Sequence, residues 1–451
     1  MTDRGTPKWR RRAALGLAVA AGLGLAAPAR AQLEERLVII TSFSKDVTEP
    51  YAKAFMAAHP GVKVEILNRN TTAGVAYVRE TRSNPPDVFW ASAPDAFEVL
   101  KKGKLLEAYK PAAPGIAEKV GTFPINDPEG FFFGFAASGY GIMYNTRYVK
   151  ANELPTPKEW ADLKKPVYFG HIGISAPSRS GTTHLTVENI LQAQGWEKGW
   201  ATLLEIGGNL VQVSDRSFGV PDAVNSGQYG LGIVIDFFGL SAKASGFPVE
   251  FVYPGETAIV PANVGIIAGA KNPKAARAFI EFLLSDAGQK ILLDPKISRL
   301  PVKPAMYANA PAGYPNPFKD TALGSRVSFD SLLSEGRYEL VNSLYDRLVT
   351  FRLKELNAAW KAIHTAEAAL AKKANAEGAK LVVEARRLAS TVPINEADAN
   401  NKDIAGAFQP VSKDKKPGQR QAEFEERWDA HAKKNYAEAK ALADKAAAMA
   451  K

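Results

Sequence analysis

Cysteine is absent from the 451 residues, which removes disulfides, thiolate metal sites and cysteine nucleophiles together. A chain of this size can be exported without disulfides, so the absence leaves secretion open. Histidine is scarce, and the five present (His59, His171, His184, His364 and His431) are too scattered to show metal-ligand spacing; an ordinary core or surface role is expected of each. Neither a G-x-S-x-G elbow nor an H-E-x-x-H pair occurs, and the phosphate-binding G-x-x-x-x-G-K-S/T pattern is missing too. No catalytic constellation assembles, so binding without turnover is expected, with no cofactor and no metal. Long apolar runs are also lacking: Ala13 to Ala27 covers about 15 residues, short of the roughly 20 that span a bilayer.

What is present is an ordinary globular composition, 46% hydrophobic and 23% charged, over about three times the ~150 residues of a typical domain. Several domains are expected, not a disordered, collagenous or polytopic membrane chain. The net charge of +10 is unevenly spread: residues 1–31 hold six basic residues against one acidic residue, and so carry +5 of it. Arg10-Arg11-Arg12, the apolar stretch and Ala29-Arg30-Ala31 together read as a signal peptide, cleaved before Gln32. The leader suits the Sec and twin-arginine routes equally, and either delivers the mature chain to the periplasm, without membrane insertion once the leader is removed. Lysines toward the C-terminus alternate with glutamates, which suits solvated helix faces and argues against a nucleic-acid partner.

The mature chain repeats a strand, a polar loop and a helix. Leu37 to Ile40 leads into Thr41-Ser42-Phe43-Ser44, Val62 to Leu67 into Asn68-Arg69-Asn70-Thr71-Thr72, and Asp87 to Trp90 into Ala91-Ser92. Strands alternating with helices predict a mainly parallel α/β sheet, which takes ligands at loops beyond the carboxyl ends of its strands. A crossover is expected near Ala137-Ser138-Gly139, a second α/β block after it, a return crossing over Thr257 to Ala268, and one amphipathic helix over Lys274 to Leu293. The expected divisions are a leader over 1–31, a first lobe over 32–136 and 259–336, a second lobe over 137–258, and a helical extension over 337–451. In that extension two long Ala/Glu/Lys-rich stretches, Tyr338 to Ala389 and Arg420 to Lys451, read as exposed helices or a coiled-coil hairpin, either bracing the body or docking a partner.

The most informative loop is Ser178-Arg179-Ser180-Gly181-Thr182-Thr183, set between a strand and a helix. A helix N-terminus offers unpaired N–H groups and partial positive charge, Gly181 admits close approach, and Arg179 carries a fork shaped for phosphate or carboxylate oxygens. The loop is thus an anion seat or a plain Ser/Thr helix cap. Arg216 and Ser217, beside Phe218, follow another strand and read as a second cationic contact or a surface turn. Asp236 accepts from ligand hydroxyls or caps the next helix.

The segment from Ser178 to Val220, with TSFS at Thr41, LNRNTT at Leu67, GYGIMYN at Gly139 and FRLKELNAAW at Phe351, resembles phosphoglycerate transport regulatory proteins, within the ferric-ion and sugar-phosphate type of extracellular solute-binding proteins. The resemblance implies a type II periplasmic binding protein fold, two α/β lobes joined by two crossovers, here with a C-terminal helical extension. It also implies an inner-membrane ABC permease or a sensor kinase as partner. Iron-binding relatives use adjacent tyrosines in a segment that matches Ile235-Asp236-Phe237-Phe238; phenylalanine supplies no phenolate, which counts against ferric ion. Their anion loop matches Ser180-Gly181-Thr182 and is kept. The expected ligand is a small phosphorylated or phosphonylated organic anion. In the open state Ser42, Phe43, Ser44, Asn70, Thr71 and Ser92 are expected to face Ser178 to Thr183, Arg216, Ser217 and Asp236 across a wet cleft, with Phe43, Trp90, Phe237 and Phe238 as its aromatic wall, and closure about the crossovers is expected to add first-lobe contacts to the ligand.

Overall fold

The computed structural model describes residues 1–2, 32–320, 323–324, 326–408 and 417–450. The expected leader, apart from its first two residues, lies outside the described residues, as does 409–416 of the polar segment before the last helix. Among the described residues no helix is long and apolar enough to cross a membrane.

Three parallel strands open the first lobe: β1 (Arg36–Thr41) lies between β2 (Lys63–Asn68) and β3 (Val88–Ala91), with Ile39 opposite Ile66 on one side and Val88 on the other. Helices α1 (Lys45–Ala58), α2 (Thr71–Glu80) and α3 (Pro94–Lys102) follow these strands in turn. In α1, Val47, Tyr51 and Phe55 recur every fourth residue and form its buried stripe. The lobe's core closes around Trp90, which meets Phe43 at 5.0 Å, Phe135 at 5.3 Å and Phe279 at 5.5 Å between ring centroids. Trp90 is therefore core, not the cleft wall expected of it.

Strand β4 (Phe133–Asn145) is long enough to serve both lobes. The second lobe adds β5 (Ile172–Ser175), α4 (Gly181–Gln194), α5 (Trp196–Asn209), β6 (Leu210–Ser214), α6 (Gly219–Ser226), β7 (Leu231–Ile235), α7 (Asp236–Ala244) and β8 (Val249–Val252), and β9 (Ile259–Ile267) runs back. The strand order is β2-β1-β3-β9-β4-β7-β5-β6. Phe133 to Gly139 of β4 pairs antiparallel with β9, whereas Tyr140 to Asn145 pairs with β7 and β8. The switch falls at Gly139 and Gly141, where any Cβ would run into Ile259 and into the Val252 carbonyl, respectively. Only glycine lets three strands approach there.

The helix expected over Lys274 to Leu293 is broken into α8 (Pro273–Leu284) and α9 (Asp286–Ile291). Ser285 makes the break: its Oγ accepts from Gly288 N at 3.2 Å and donates to the Phe282 carbonyl at 2.7 Å, ending one helix and capping the next. Strand β10 (Leu300–Pro301) then returns to β4.

The C-terminal extension departs most from expectation. Helices α10 (Ser331–Gly336) and α11 (Tyr338–Leu348) lead into α12 (Leu353–Lys372), α13 (Ala376–Ser390) and α14 (Gln419–Met449), which pack on one another and on α5. Trp196, Trp200, Leu203, Leu204 and Ile206 of α5 share one core with Leu356, Trp360, Ile363 and Trp428. Trp360 sits so close to Gly208 that a Cβ there would collide with the indole. The extension is thus a bundle packed against the second lobe, as a brace on the body would be, but with a buried core instead of the exposed helices expected. The misreading has a physical source: Ala359, Ala366, Ala432, Ala439, Ala443 and Ala446 are all buried, and alanine forms close helix interfaces while adding little to a hydrophobic period.

Candidate functional site

The carboxyl ends of β1, β3, β5, β6 and β7 meet at one crevice between the lobes, as expected of ligand sites in α/β sheets. Ser42, Phe43, Ser44, Asn70, Thr71 and Ser92 line it from the first lobe; Arg179, Ser180, Thr182, Arg216, Ser217, Phe218, Phe237 and Phe238 line it from the second. The room left between them is about 20 Å³, on the order of one water molecule. The crevice is closed: a Cβ on Gly181 would lie 2.9 Å from both the Ala93 Cβ and the Thr71 Oγ1, and Arg216 Nη2 donates to Asn68 Oδ1 across the lobes at 3.0 Å.

Ser180 is the N-cap of α4, and its Oγ accepts from Thr183 N at 3.1 Å. The N–H groups of Gly181 and Thr182, in the first turn, have no acceptor within the helix and carry the positive end of its dipole. The cap expected of the loop is formed, and it does not exclude an anion there: Ser180 caps through its lone pair and keeps its O–H as a donor. Thr183 faces inward, its hydroxyl against that of Ser175, and so leaves the cleft. Ser178 also leaves it, turned toward Asp346 of α11.

The cations are engaged unequally. Arg179 is ion-paired with the exposed Asp215, which offsets the charge expected to grip an anion. Arg216 is half-buried, its guanidinium 4.8 Å over the Phe218 ring, and burial pulls its pKa below the ordinary value. Asp236 is fully buried, and its place among ligand contacts is corrected: Oδ2 accepts from Gly139 N at 2.7 Å and from the Tyr253 hydroxyl at 3.0 Å, while Oδ1 accepts from Phe237 N at 2.7 Å. Its three donors tie the start of α7 to the crossing point of β4.

Burial pushes the Asp236 carboxyl up to about 6, against the opposing pull of these hydrogen bonds and of Arg299. In the unfolded chain an aspartate titrates near ~3.9, so the folded state holds the extra proton between about pH 4 and pH 6. The contribution of Asp236 to stability is therefore greatest below about pH 4 and falls by about 3 kcal/mol as pH rises through 6. The difference in unfolding free energy between wild type and Asp236→Asn, measured from pH 4 to pH 7, is expected to shrink accordingly; a pH-independent difference would contradict the assignment.

A cation that the sequence pattern did not single out stands behind the crevice. Arg299, just before β10, has no exposed surface, and its guanidinium lies 4.5 Å from the Phe43 ring centroid and 4.2 Å from that of Phe237. Nη2 donates to Ser92 Oγ at 2.9 Å, whereas Nε and Nη1 have no partner. Burial lowers its pKa to about 10, which leaves it charged at neutral pH. The available signal was one arginine inside Ile297-Ser298-Arg299-Leu300-Pro301-Val302, a largely apolar return segment. A buried cation with unmade hydrogen bonds is costly, and such groups concentrate where ligands bind.

Behind α4, a buried chain of hydrogen bonds joins the lobes. Ser334 Oγ donates to Asp95 Oδ2 at 2.8 Å and lies 3.0 Å from His184 Nε2, while His184 Nδ1 meets Asn342 Oδ1 at 2.8 Å. Helix α4 is thereby keyed to α3 of the first lobe and α11 of the extension. Among the described residues, no group of three or more His, Cys, Asp or Glu side chains could hold a metal ion.

Comparison with known proteins agrees with this architecture. The profile of the bacterial extracellular solute-binding protein family matches residues 83–334. The phosphoglycerate transport regulatory protein PgtC of Salmonella typhimurium is 32% identical over 372 residues, 82% of this chain and 89% of that protein. Among solved structures, the periplasmic binding protein AfuA from Actinobacillus pleuropneumoniae, with exogenous fructose-6-phosphate bound, aligns with TM-score 0.58 and 23% identity over 69% of this chain and 98% of its own. Iron-bound HitA from Pseudomonas aeruginosa aligns with TM-score 0.54 and 19% identity over 64% of this chain and 95% of its own. These two likenesses carry the two-lobe fold of type II periplasmic binding proteins. With a matching profile over more than half of its length and a relative of this identity along most of both chains, the chain belongs to the bacterial extracellular solute-binding protein family.

Proposed function

We propose that the mature protein, from Gln32 onward, works in the periplasm and captures a small phosphorylated or phosphonylated organic anion between its lobes for delivery to an inner-membrane ABC importer. It acts by binding, without turnover. The observation that carries this reading is the α4 terminus, where Ser180 and Thr182 border the same crevice as Arg216, Ser42, Ser44, Asn70, Thr71 and Ser92. Helix N–H groups, hydroxyls and a guanidinium are the donors that a tetrahedral anion takes. Closure adds the first-lobe donors only when the lobes meet, and that differential affinity populates the closed form that a membrane partner reads. Support for the ligand class comes from the names of the relatives, one a phosphoglycerate transport regulator and one holding fructose-6-phosphate. Ferric ion fits poorly, because Phe237 and Phe238 offer no oxygen.

A second reading, a ligand sensor that reports to a membrane sensor kinase, is favoured by one observation. The 372 residues aligned with the relative named as regulatory exceed what residues 32–336 contain, so the likeness reaches beyond the two lobes.

A thermal-shift series with phosphoglycerates, hexose phosphates, phosphonates, inorganic phosphate, ferric citrate and unphosphorylated sugars tests the proposal. Ligand at about 100 times its dissociation constant is expected to add roughly 2.7 kcal/mol of stability. Stabilisation confined to phospho- or phosphono-organic compounds is the expected outcome. Stabilisation by ferric citrate alone, or by neutral sugars alone, would overturn it.

A further inference from the structure

We infer that α10 is a strap across the two lobes, which holds the crevice closed before any solute enters and so sets the affinity of the cleft without touching the ligand. This rests on the reading of the crevice as a cleft that opens and closes on a solute.

The chain passes between the lobes at β4, at β9 and, for a third time, at α10. Phe329, before the strap, packs in the core of the first lobe; Leu340, Val341 and Leu344, after it, pack in the core that the second lobe shares with the extension. On the first-lobe side, Ser334 Oγ donates to Asp95 Oδ2 at 2.8 Å, Lys102 Nζ lies 3.0 Å from the Glu335 carboxylate, and Ser331 Oγ donates to Glu98 Oε1 at 3.4 Å. On the second-lobe side, the same Ser334 Oγ lies 3.0 Å from His184 Nε2, and Asp330, next to the strap, exchanges two backbone-to-side-chain bonds with Gln192 of α4, at 2.7 and 3.1 Å. Arg337, at the other end, is held by Glu188. Helix α10 therefore cannot follow one lobe without leaving the other.

The place of these bonds along α4 decides that opening breaks them. Asn189 marks the pivot: its Oδ1 accepts from Ala258 N at 2.7 Å and its Nδ2 donates to the Glu256 carbonyl at 2.6 Å, where the chain enters β9. Along the helix, Gly181, which abuts Ala93 at the mouth, lies about 12 Å from Asn189, and His184 about 7.5 Å. Parting the mouth by about 5 Å, enough to admit a small anion, thus opens a gap of about 3 Å across the Asp95, Ser334 and His184 chain, beyond the reach of a hydrogen bond. All three side chains are fully buried. Bonds made only in the closed form stabilise that form, and the apparent affinity of a solute follows the fraction of molecules already closed.

The lack of cysteine makes the test direct. Glu49→Cys and Gln212→Cys put one spin label on an exposed site of each lobe of the mature chain, and pulsed electron paramagnetic resonance reads the distance between them. Ligand-free protein is expected to show mainly the short distance of the closed form. Ser334→Ala should lower the ratio of closed to open molecules about 10-fold, the scale of one hydrogen bond to a charged group. Ser334→Thr, which keeps the hydroxyl, should recover part of that ratio. Lys102→Ala, at an exposed site whose loss leaves the core intact, should move it in the same direction by less than about 5-fold. Affinity for a phosphoglycerate should fall in step with the closed fraction, and saturating phosphoglycerate should return Ser334→Ala to the wild-type distance. A merely structural serine would lower the melting temperature of Ser334→Ala and leave the populations unchanged, which overturns the inference. A ligand-free wild type that is already mainly open overturns it as well, and needs no variant to fold. If no phosphorylated compound binds, the reading of the ligand falls, while the ligand-free populations still decide the strap.

Discussion

Truncation before Arg337 is expected to leave a second lobe that does not fold, not a two-lobe protein shorn of an appendage. Without the extension, the α5 face bearing Trp200, Leu203, Leu204 and Ile206 loses Leu356, Trp360 and Ile363, and Trp196 Nε1 loses the Ile394 carbonyl to which it donates at 2.9 Å. Each such side chain returned to water forfeits roughly 1.5–3 kcal/mol. Five of them amount to about 10 kcal/mol, comparable with the ~5–15 kcal/mol that holds a typical domain together. The apolar face so exposed is also large enough to drive aggregation. Residues 32–336 expressed alone should be insoluble or should melt without cooperativity in circular dichroism. A soluble fragment that melts cooperatively within a few degrees of the whole chain would show that the bundle is dispensable. Its role outside folding is therefore better probed by substitutions on the exposed faces of α13 and α14 than by deletion.

The next largest effect is expected at the ion pair that joins the extension to α4. Arg337 donates from Nε to Glu188 Oε1 at 2.8 Å and from Nη2 to Oε2 at 2.9 Å, with the two side chains 2% and 0% exposed. Nη1 reaches Asn400 Oδ1 at 3.1 Å, and the guanidinium lies 5.0 Å over the Trp196 ring. Burial pushes the Glu188 carboxyl up, yet Arg337 outweighs it and holds the carboxyl below the ordinary glutamate value. Losing either partner strands the other charge in the interior, so Glu188→Ala and Arg337→Ala should each cost about 3–5 kcal/mol in urea unfolding. Replacing both at once, Glu188→Leu with Arg337→Met, should recover most of that, because the pair's attraction is largely offset by its desolvation. Single variants that lose less than about 1 kcal/mol would place the pair in a wetter setting than its burial indicates.

The Glu188–Arg337 pair also bears on ligand response. Glu188 sits two turns along α4 from Ser180, and His184, between them, is bonded to Ser334 and Asn342. The helix whose N-terminus is the proposed anion seat is thus held from behind by the extension and by Asp95 of the first lobe. For the proposed seat, such bracing would hold the donors in place, as preorganised recognition of an anion requires.

Much of the architecture was legible in the residues. The alternation of β-branched runs, polar loops and helical stripes identified β1 to β3 with their helices, and placed Ser42, Asn70, Thr71, Ser92, Ser180, Thr182, Arg216 and Ser217 at strand ends, all of which the fold brings to one crevice. These are local properties: a strand's exit point and a helix's first turn depend on a dozen consecutive residues. The break at Ser285 was hidden because serine also occurs within helices, and only its cap geometry ends one helix and starts the next.

What the sequence by itself determined, then, was which segments become strands, which loops lie at their carboxyl ends, and which of those loops could cradle an anion. Only the tertiary structure decided how each charge is used. Arg179 meets Asp215, Asp236 turns inward to Gly139 and Tyr253, and the alanine-rich tail becomes core. Arg299 reaches Ser92 across 207 positions, and Arg337 reaches Glu188 across 149. A charged side chain reads the same in sequence whether it is solvated, paired or buried. Its partner arrives from a distant segment, and the free energy that separates those fates is set by burial and geometry that exist only once the chain has folded.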